Sequence, residues 1–269
     1  MVPCDKSPDD NYKELVEEVS KLYPKTKIIG YPYNVANEEA TLELIDNVLN
    51  AWGRLDVWVC SSGLLGPPSL EATTPGDLQK CFEANSLAPF FALKYAPPAM
   101  GKTTPKGNYQ NAAPKDQKYG SIVVVSSVAS TYGGRDADRT VSRVFYMGTS
   151  LSSLYHATGC WGPCYTMTSH AALGVVRSGV AALKGTGVRV NCVSPGQIDM
   201  GLDLKGMDNR GVTQQLPPFT LQSNEAQKDS IGLERAGMPQ EVAKVAGFLA
   251  SGFSSYITGA NLVVDGGAS

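Results

Sequence analysis

Only two histidines occur in 269 residues, and there is no Asn-x-Ser/Thr glycosylation acceptor. No uncharged apolar run approaches the roughly 18 residues of a membrane-spanning helix. The amino terminus, Met-Val-Pro-Cys-Asp-Lys-Ser-Pro-Asp-Asp, has neither an apolar core nor an Arg-rich amphipathic stretch, so neither a secretory nor a transit signal is expected. Excess charge is lacking as well: 23 Lys and Arg against 25 Asp and Glu leave a net charge of −2. With a sequence pI near 5.8, nothing draws the chain to phosphate backbones or anionic lipid. Neither nucleic acid nor a membrane is expected as a partner, and the cytoplasm is the expected location. Six cysteines (Cys4, Cys60, Cys81, Cys160, Cys164 and Cys192) are scattered, and Cys160-x-x-x-Cys164 has no second pair at metal-ligand spacing. They read as reduced thiols, with no metal site.

What is present is ample apolar material, 42% of residues, in a chain long enough to bury a substantial core as one domain over residues 1–269. Tyr12, Leu15, Val16, Val19, Leu22 and Tyr23 recur at helical spacing up to Pro24, and a short strand follows at Lys27 to Tyr31. A second helix is predicted from an Asn37 cap to Gly53, followed by a buried strand at Leu55 to Cys60. Helix then strand, repeated, is the rhythm of a parallel sheet. Pro75 opens a helix running toward Tyr95 that Pro89 should kink. The remaining predicted elements are a strand at Ser121 to Ser126, a helix at Tyr165 to Lys184, a strand at Val188 to Val193, a helix at Pro239 to Ser251 and a strand at Asn261 to Val264. Gly101 to Tyr119 reads as a surface loop.

Seven motifs stand in a characteristic order. They are Gly53-Arg54-Leu55-Asp56-Val57, Asn85, Ser126-Ser127, Tyr165, Val188-Arg189-Val190-Asn191 with Pro195-Gly196, Tyr256-Ile257-Thr258-Gly259, and Val264-Asp265-Gly266-Gly267. Through them the chain, from about Ile28 to Gly267, resembles the short-chain dehydrogenase/reductase family. The resemblance implies an α/β fold with a doubly wound, Rossmann-type parallel sheet, and a catalytic Asn, Ser, Tyr and Lys. In that family the Ser and Tyr hydroxyls hold the substrate oxygen and the Tyr passes a proton. The Lys lowers the pKa of the Tyr and binds ribose, and the Asn holds a water of the proton relay. Asn85, Ser127 and Tyr165 occupy the matching positions, whereas Ser169 stands where the Lys belongs. The resemblance also implies a homodimer or homotetramer.

The other departures fall on the cofactor side. The family's opening strand and glycine-rich turn have no counterpart, so the chain reads as N-terminally truncated relative to the family. Gly185-x-Gly187 and Gly133-Gly134 are in the wrong context to replace that turn. Asn34 stands for the adenine-binding Asp, Cys60-Ser61-Ser62-Gly63 for Asn-Asn-Ala-Gly, and Met200 for a Thr near the pyrophosphate. No cofactor-binding residue is therefore assigned. Ser127 and Tyr165 stand 38 positions apart, and the insertion at about 131–162 enters beside the substrate pocket. His156, Trp161, Asp136, Arg135 and Met200 are candidate substrate contacts. The bland alternatives for these are a solvated loop histidine and a solvated charge cluster, and His170 reads as a surface histidine.

A tyrosine without a nearby cation keeps a pKa near 10 and is a poor base at neutral pH. The expected function is therefore cofactor-independent and redox-neutral: isomerisation, dehydration or cyclisation of a small carbonyl compound such as a natural-product intermediate, with Tyr165 and Ser127 as hydrogen-bond donors. The alternatives are an oxidoreductase using NADP or NAD, and a non-catalytic relative that binds a ligand or assembles with an active paralogue.

Overall fold

The computed structural model describes residues 4–5, 11–67, 70–71, 73–102, 119–131, 162–199, 228 and 231–268. Two parallel sheets organise them. A short pair joins β1 (Cys4–Asp5) to β2 (Tyr31–Pro32), and a four-stranded sheet runs in the order β3 (Val57–Cys60), β4 (Gly120–Val125), β5 (Val188–Pro195), β6 (Asn261–Val264). The register aligns Cys60 with Val124 and Val125 with Val193. The carboxyl ends of the strands, and the loops that leave them, therefore share one edge.

Among the described residues the helices are α1 (Asn11–Leu22), α2 (Glu38–Trp52), α3 (Pro75–Phe82), α4 (Ala88–Met100), α5 (Pro163–Ala182) and α6 (Pro239–Ala250). Their ends are written in local chemistry. Asn37 Oδ1 accepts from the Ala40 N–H at 2.7 Å, and Gly53 closes α2 in the left-handed conformation. Thr74 and Asp77 form a reciprocal capping box ahead of Pro75. Ile122 and Val124 of β4 and Val190 and Cys192 of β5 pack against α2, α4 and α5. On the opposite face Val123 and Val193 meet Leu249 of α6.

Three expectations are corrected. Among the described residues, the strand expected at Lys27 to Tyr31 is Tyr31–Pro32, paired with Cys4–Asp5. The Leu55 to Cys60 strand is shorter and not fully buried: Val57 and Val59 are 38% and 46% exposed. Side chains alternate along a strand, and β3 is an edge of its sheet, so only the Trp58 and Cys60 face reaches the core. The kink expected at Pro89 is a π-helical turn, Glu83–Leu87, immediately before α4. The wider turn lets Pro89 sit in the first turn of α4, where its missing N–H costs nothing. Among the described residues no helix is long and apolar enough to cross a membrane.

Candidate active site

The site is built at the carboxyl edge of the sheet. Ser127 follows β4 and is 4% exposed; its backbone is extended while its Oγ accepts from the Ala129 N–H at 3.1 Å, starting a single 3-10 turn over Val128–Ser130. That bond uses one of the two lone pairs of Oγ, and the Ser127 hydroxyl proton is not spent on it. Tyr165 stands in the first turn of α5 and is hydrogen-bonded to Ser127. Burial pushes the Tyr165 phenol above its ordinary pKa, and the Ser127 hydrogen bond, which favours the phenolate, pulls it partly back. The net effect is a phenol that holds its proton.

The loop of Ser127 is anchored from below. Ser130 Oγ meets Ser194 Oγ at 3.2 Å, Ser194 donates to Asn261 Oδ1 at 2.6 Å, and Asn261 Nδ2 donates to Thr131 Oγ1 at 3.1 Å. This chain of hydroxyls and one amide joins the 3-10 turn after β4 to the end of β5 and the start of β6. Such a satisfied polar network fixes one geometry.

Asn85 lies in the π-helical turn. Its Oδ1 accepts from the Leu64 N–H at 2.7 Å, and its Nδ2 donates to Leu64 O at 2.9 Å and to Thr168 Oγ1 at 2.8 Å. Both amide protons are thus directed to protein groups, which ties the loop after β3 to α5. Ser169, at the position where the family carries Lys, is buried at 3% exposure, and its carbonyl accepts from Ser126 Oγ at 3.3 Å. His170 is exposed on α5, with Nδ1 2.9 Å from Thr166 O. Asn34 Oδ1 accepts from the Ala36 N–H at 3.2 Å.

The structure pairs Ser127 with Tyr165 and ties Asn85 to Thr168, three residues beyond Tyr165 on α5. His156, Trp161, Asp136, Arg135 and Met200, together with Cys160 and nearly all of the 131–162 insertion, lie outside the described residues. Thr168 was missed by the sequence reading. Its one signal was a polar residue on the turn after Tyr165, which helices also present to solvent; here it is 1% exposed.

Comparison with known proteins bears on the family and the fold. The family model described as short chain dehydrogenase matches residues 1–137, and that described as enoyl-(acyl carrier protein) reductase matches residues 146–269. A 3-oxoacyl-(acyl-carrier-protein) reductase of Thermotoga maritima is 28% identical over 258 residues, covering 96% of this chain and 83% of the relative. An L-rhamnose-1-dehydrogenase of Scheffersomyces stipitis is 28% identical over 258 residues, covering 95% and 79%. Among solved structures, YwfH, an NADPH-dependent reductase involved in bacilysin biosynthesis, superposes with a TM-score of 0.70 at 19% identity, covering all of this chain and 87% of its own. ElxO with NADP bound superposes with a TM-score of 0.66 at 24% identity, covering 99% and 87%.

These relatives overturn the expectation of a cofactor-independent, redox-neutral isomerase or cyclase, because they are reductases and dehydrogenases and their fold is one solved with NADP bound. The expectation gave too much weight to single cofactor-side positions. A serine at position 169 leaves the parallel sheet and the Ser127–Tyr165 hydroxyl pair in place. The collinear motifs, the parallel sheet, the Ser127–Tyr165 pair and the family match over half its length together place the chain in the short-chain dehydrogenase/reductase family.

Proposed function

We propose that the protein is a nicotinamide-dependent oxidoreductase working in the reductive direction, converting a carbonyl to an alcohol. The observation that carries this reading is the Ser127–Tyr165 pair with its phenol kept protonated. A carbonyl oxygen that gains charge during reduction needs hydrogen-bond donors and then a proton. Ser127 supplies the first and Tyr165 the second. Oxidation of an alcohol needs a phenolate at the same place, which burial disfavours.

Two hydroxyl donors at the carboxyl edge of a parallel sheet are the chemistry that the nicotinamide end of NAD(P)H requires beside it. Among the described residues, a Cβ on Gly63, after β3, would meet Asn85 Oδ1 at 3.9 Å. Gly63, Pro195 and Gly196, on the same carboxyl edge, are the residues that would border the ring. Bound there, the cofactor supplies the hydride for the carbonyl carbon. The protein's own part is to hold the carbonyl oxygen between two hydroxyls and to deliver the Tyr165 proton to it.

The test is consumption of NADPH or NADH by purified protein with a panel of carbonyl probes: an aromatic aldehyde, a cyclic ketone and a β-ketoacyl thioester. The expected result is turnover of at least one probe and a loss of about 10²- to 10⁴-fold in Tyr165→Phe, the usual worth of a general acid. No nicotinamide oxidation with any probe, or full activity in Tyr165→Phe, overturns the reading.

A further inference from the structure

Thr168 carries a hydroxyl that the chemistry above does not use, yet the fold sets it at a junction. It stands almost one turn beyond Tyr165 on α5 and is 1% exposed. Its Oγ1 is 2.7 Å from Cys164 O and 3.3 Å from Tyr165 O, and it accepts from Asn85 Nδ2 at 2.8 Å. A hydroxyl has one proton, and the shorter distance gives it to Cys164, the residue immediately before Tyr165. Asn85 in turn grips both the N–H and the C=O of Leu64. Two residues further on, Gly66 adopts φ +72° and lies so close that a Cβ on it would be 2.7 Å from Cys81 Sγ and 3.0 Å from Cys164 Cβ. The loop leaving β3 is therefore fastened to the first turn of α5 twice: through Leu64, Asn85 and Thr168, and by direct packing of Gly66 on Cys164.

A threonine that only back-bonds to the carbonyl four residues earlier bends a helix slightly and does nothing more. Here the same oxygen is also an acceptor, so its orientation is set from outside the helix. We propose that Thr168 is a positioning residue for Tyr165: it locks the pitch of the first turn of α5 against the loop after β3 and so aims the phenol at Ser127. Errors of about 1 Å in the placement of a reacting group cost on the order of 10²-fold in rate. A role in packing alone would be met equally well by valine, which has the shape of threonine without its hydroxyl.

This inference rests on the reading of Tyr165 as proton donor, and its test separates the two. Wild type, Thr168→Val, Thr168→Ser, Asn85→Ala, the Asn85→Ala/Thr168→Val double variant and Tyr165→Phe are assayed with whichever carbonyl probe the wild type reduces. The Tyr165 phenol is also titrated by NMR of ring-labelled tyrosine, assigned with Tyr165→Phe. Thr168→Val is expected to lower kcat about tenfold or more with KM changed by less than about twofold. It should also raise the phenol's titration point, because the Ser127 hydrogen bond that holds it down is loosened. Thr168→Ser should restore kcat to within about threefold. The double variant should be faster than the product of the two single effects, since both remove the Asn85–Thr168 hydrogen bond.

Wild-type kcat and an unmoved phenol in Thr168→Val overturn the proposal, as do a loss that serine does not repair or effects of the two sites that multiply. Should Thr168→Val not fold, Asn85→Ala removes the other end of the same bond, and an unmoved phenol there overturns the proposal equally. Full activity in Tyr165→Phe overturns the reading of the site instead. The phenol titration then decides on Thr168 by itself, a shift in Thr168→Val supporting the positioning role and no shift overturning it.

Discussion

Serine at position 169 leaves the Tyr165 phenol with burial raising its pKa and one hydroxyl partner lowering it. The two directions of a carbonyl–alcohol interconversion ask for opposite protonation states of that phenol. Reduction needs the proton present, and the raised pKa extends the range over which it is. The kcat of reduction should therefore be level from about pH 6 to about pH 9 and fall only above the ordinary tyrosine value of about 10. Oxidation of the corresponding alcohol should be weak at neutral pH and climb across that same alkaline range. Steady-state pH profiles in both directions check this, with Tyr165→Phe as the control that should flatten both limbs. A reductive limb that falls near neutrality would assign the proton to another group. Asn85, by contrast, could be picked out by its place in a motif, but its partners could not. Leu64 lies 21 positions away and Thr168 lies 83 positions away, so its hydrogen bonds exist only once the tertiary fold does.

Elements were legible where local chemistry decides them. Asn37 and Gly53 bracket α2 because a side-chain acceptor and a residue tolerant of positive φ are local requirements, and Thr74, Pro75 and Asp77 do the same for α3. The π-helical turn before Pro89 was not legible, because a kink and a widened turn relieve the same missing N–H. The outward face of β3 was not legible either, since the run from Val57 to Cys60 reads as buried whether or not a neighbour covers it. The seam between α4 and β4 offers a sharp test at this scale. A Cβ on Gly120 would stand 2.4 Å from Met100 Sδ and 2.9 Å from Met100 Cβ, and Met100 is fully buried at the end of α4. The thioether end of the side chain can swing away, but the Met100 Cβ cannot move without the helix. Gly120→Ala should therefore destabilise the fold by about 1–3 kcal/mol, the usual cost of overpacking. Equilibrium denaturation measures it, and a midpoint at or above that of the wild type refutes the close approach.

At the scale of the whole molecule, the family was readable because its motifs recur in order along the chain, at both ends of the strands. The chemistry was misread because losses on the cofactor side were summed as if each were decisive. Four of the six cysteines fall within the described core. Cys60, Cys81, Cys164 and Cys192 are free thiols on β3, α3, α5 and β5, all of them buried. Burial pushes the Cys60 and Cys81 thiols up to about 12 and Cys192 up to about 11. Only the thiolate is alkylated. Against an unfolded thiol near 8.5, a value of about 12 lowers the thiolate fraction at about pH 8 by roughly 10³-fold, before any loss of access is counted. Cys60, Cys81 and Cys192 should therefore resist iodoacetamide in the native protein and react together once denaturant opens the core. Peptide-level mass spectrometry across a denaturant series reads each site separately. Coincident labelling of the three would show that the sheet and the α3–α5 seam open as one cooperative unit. Earlier labelling of Cys81 would show that the seam holding Tyr165 opens before the sheet does.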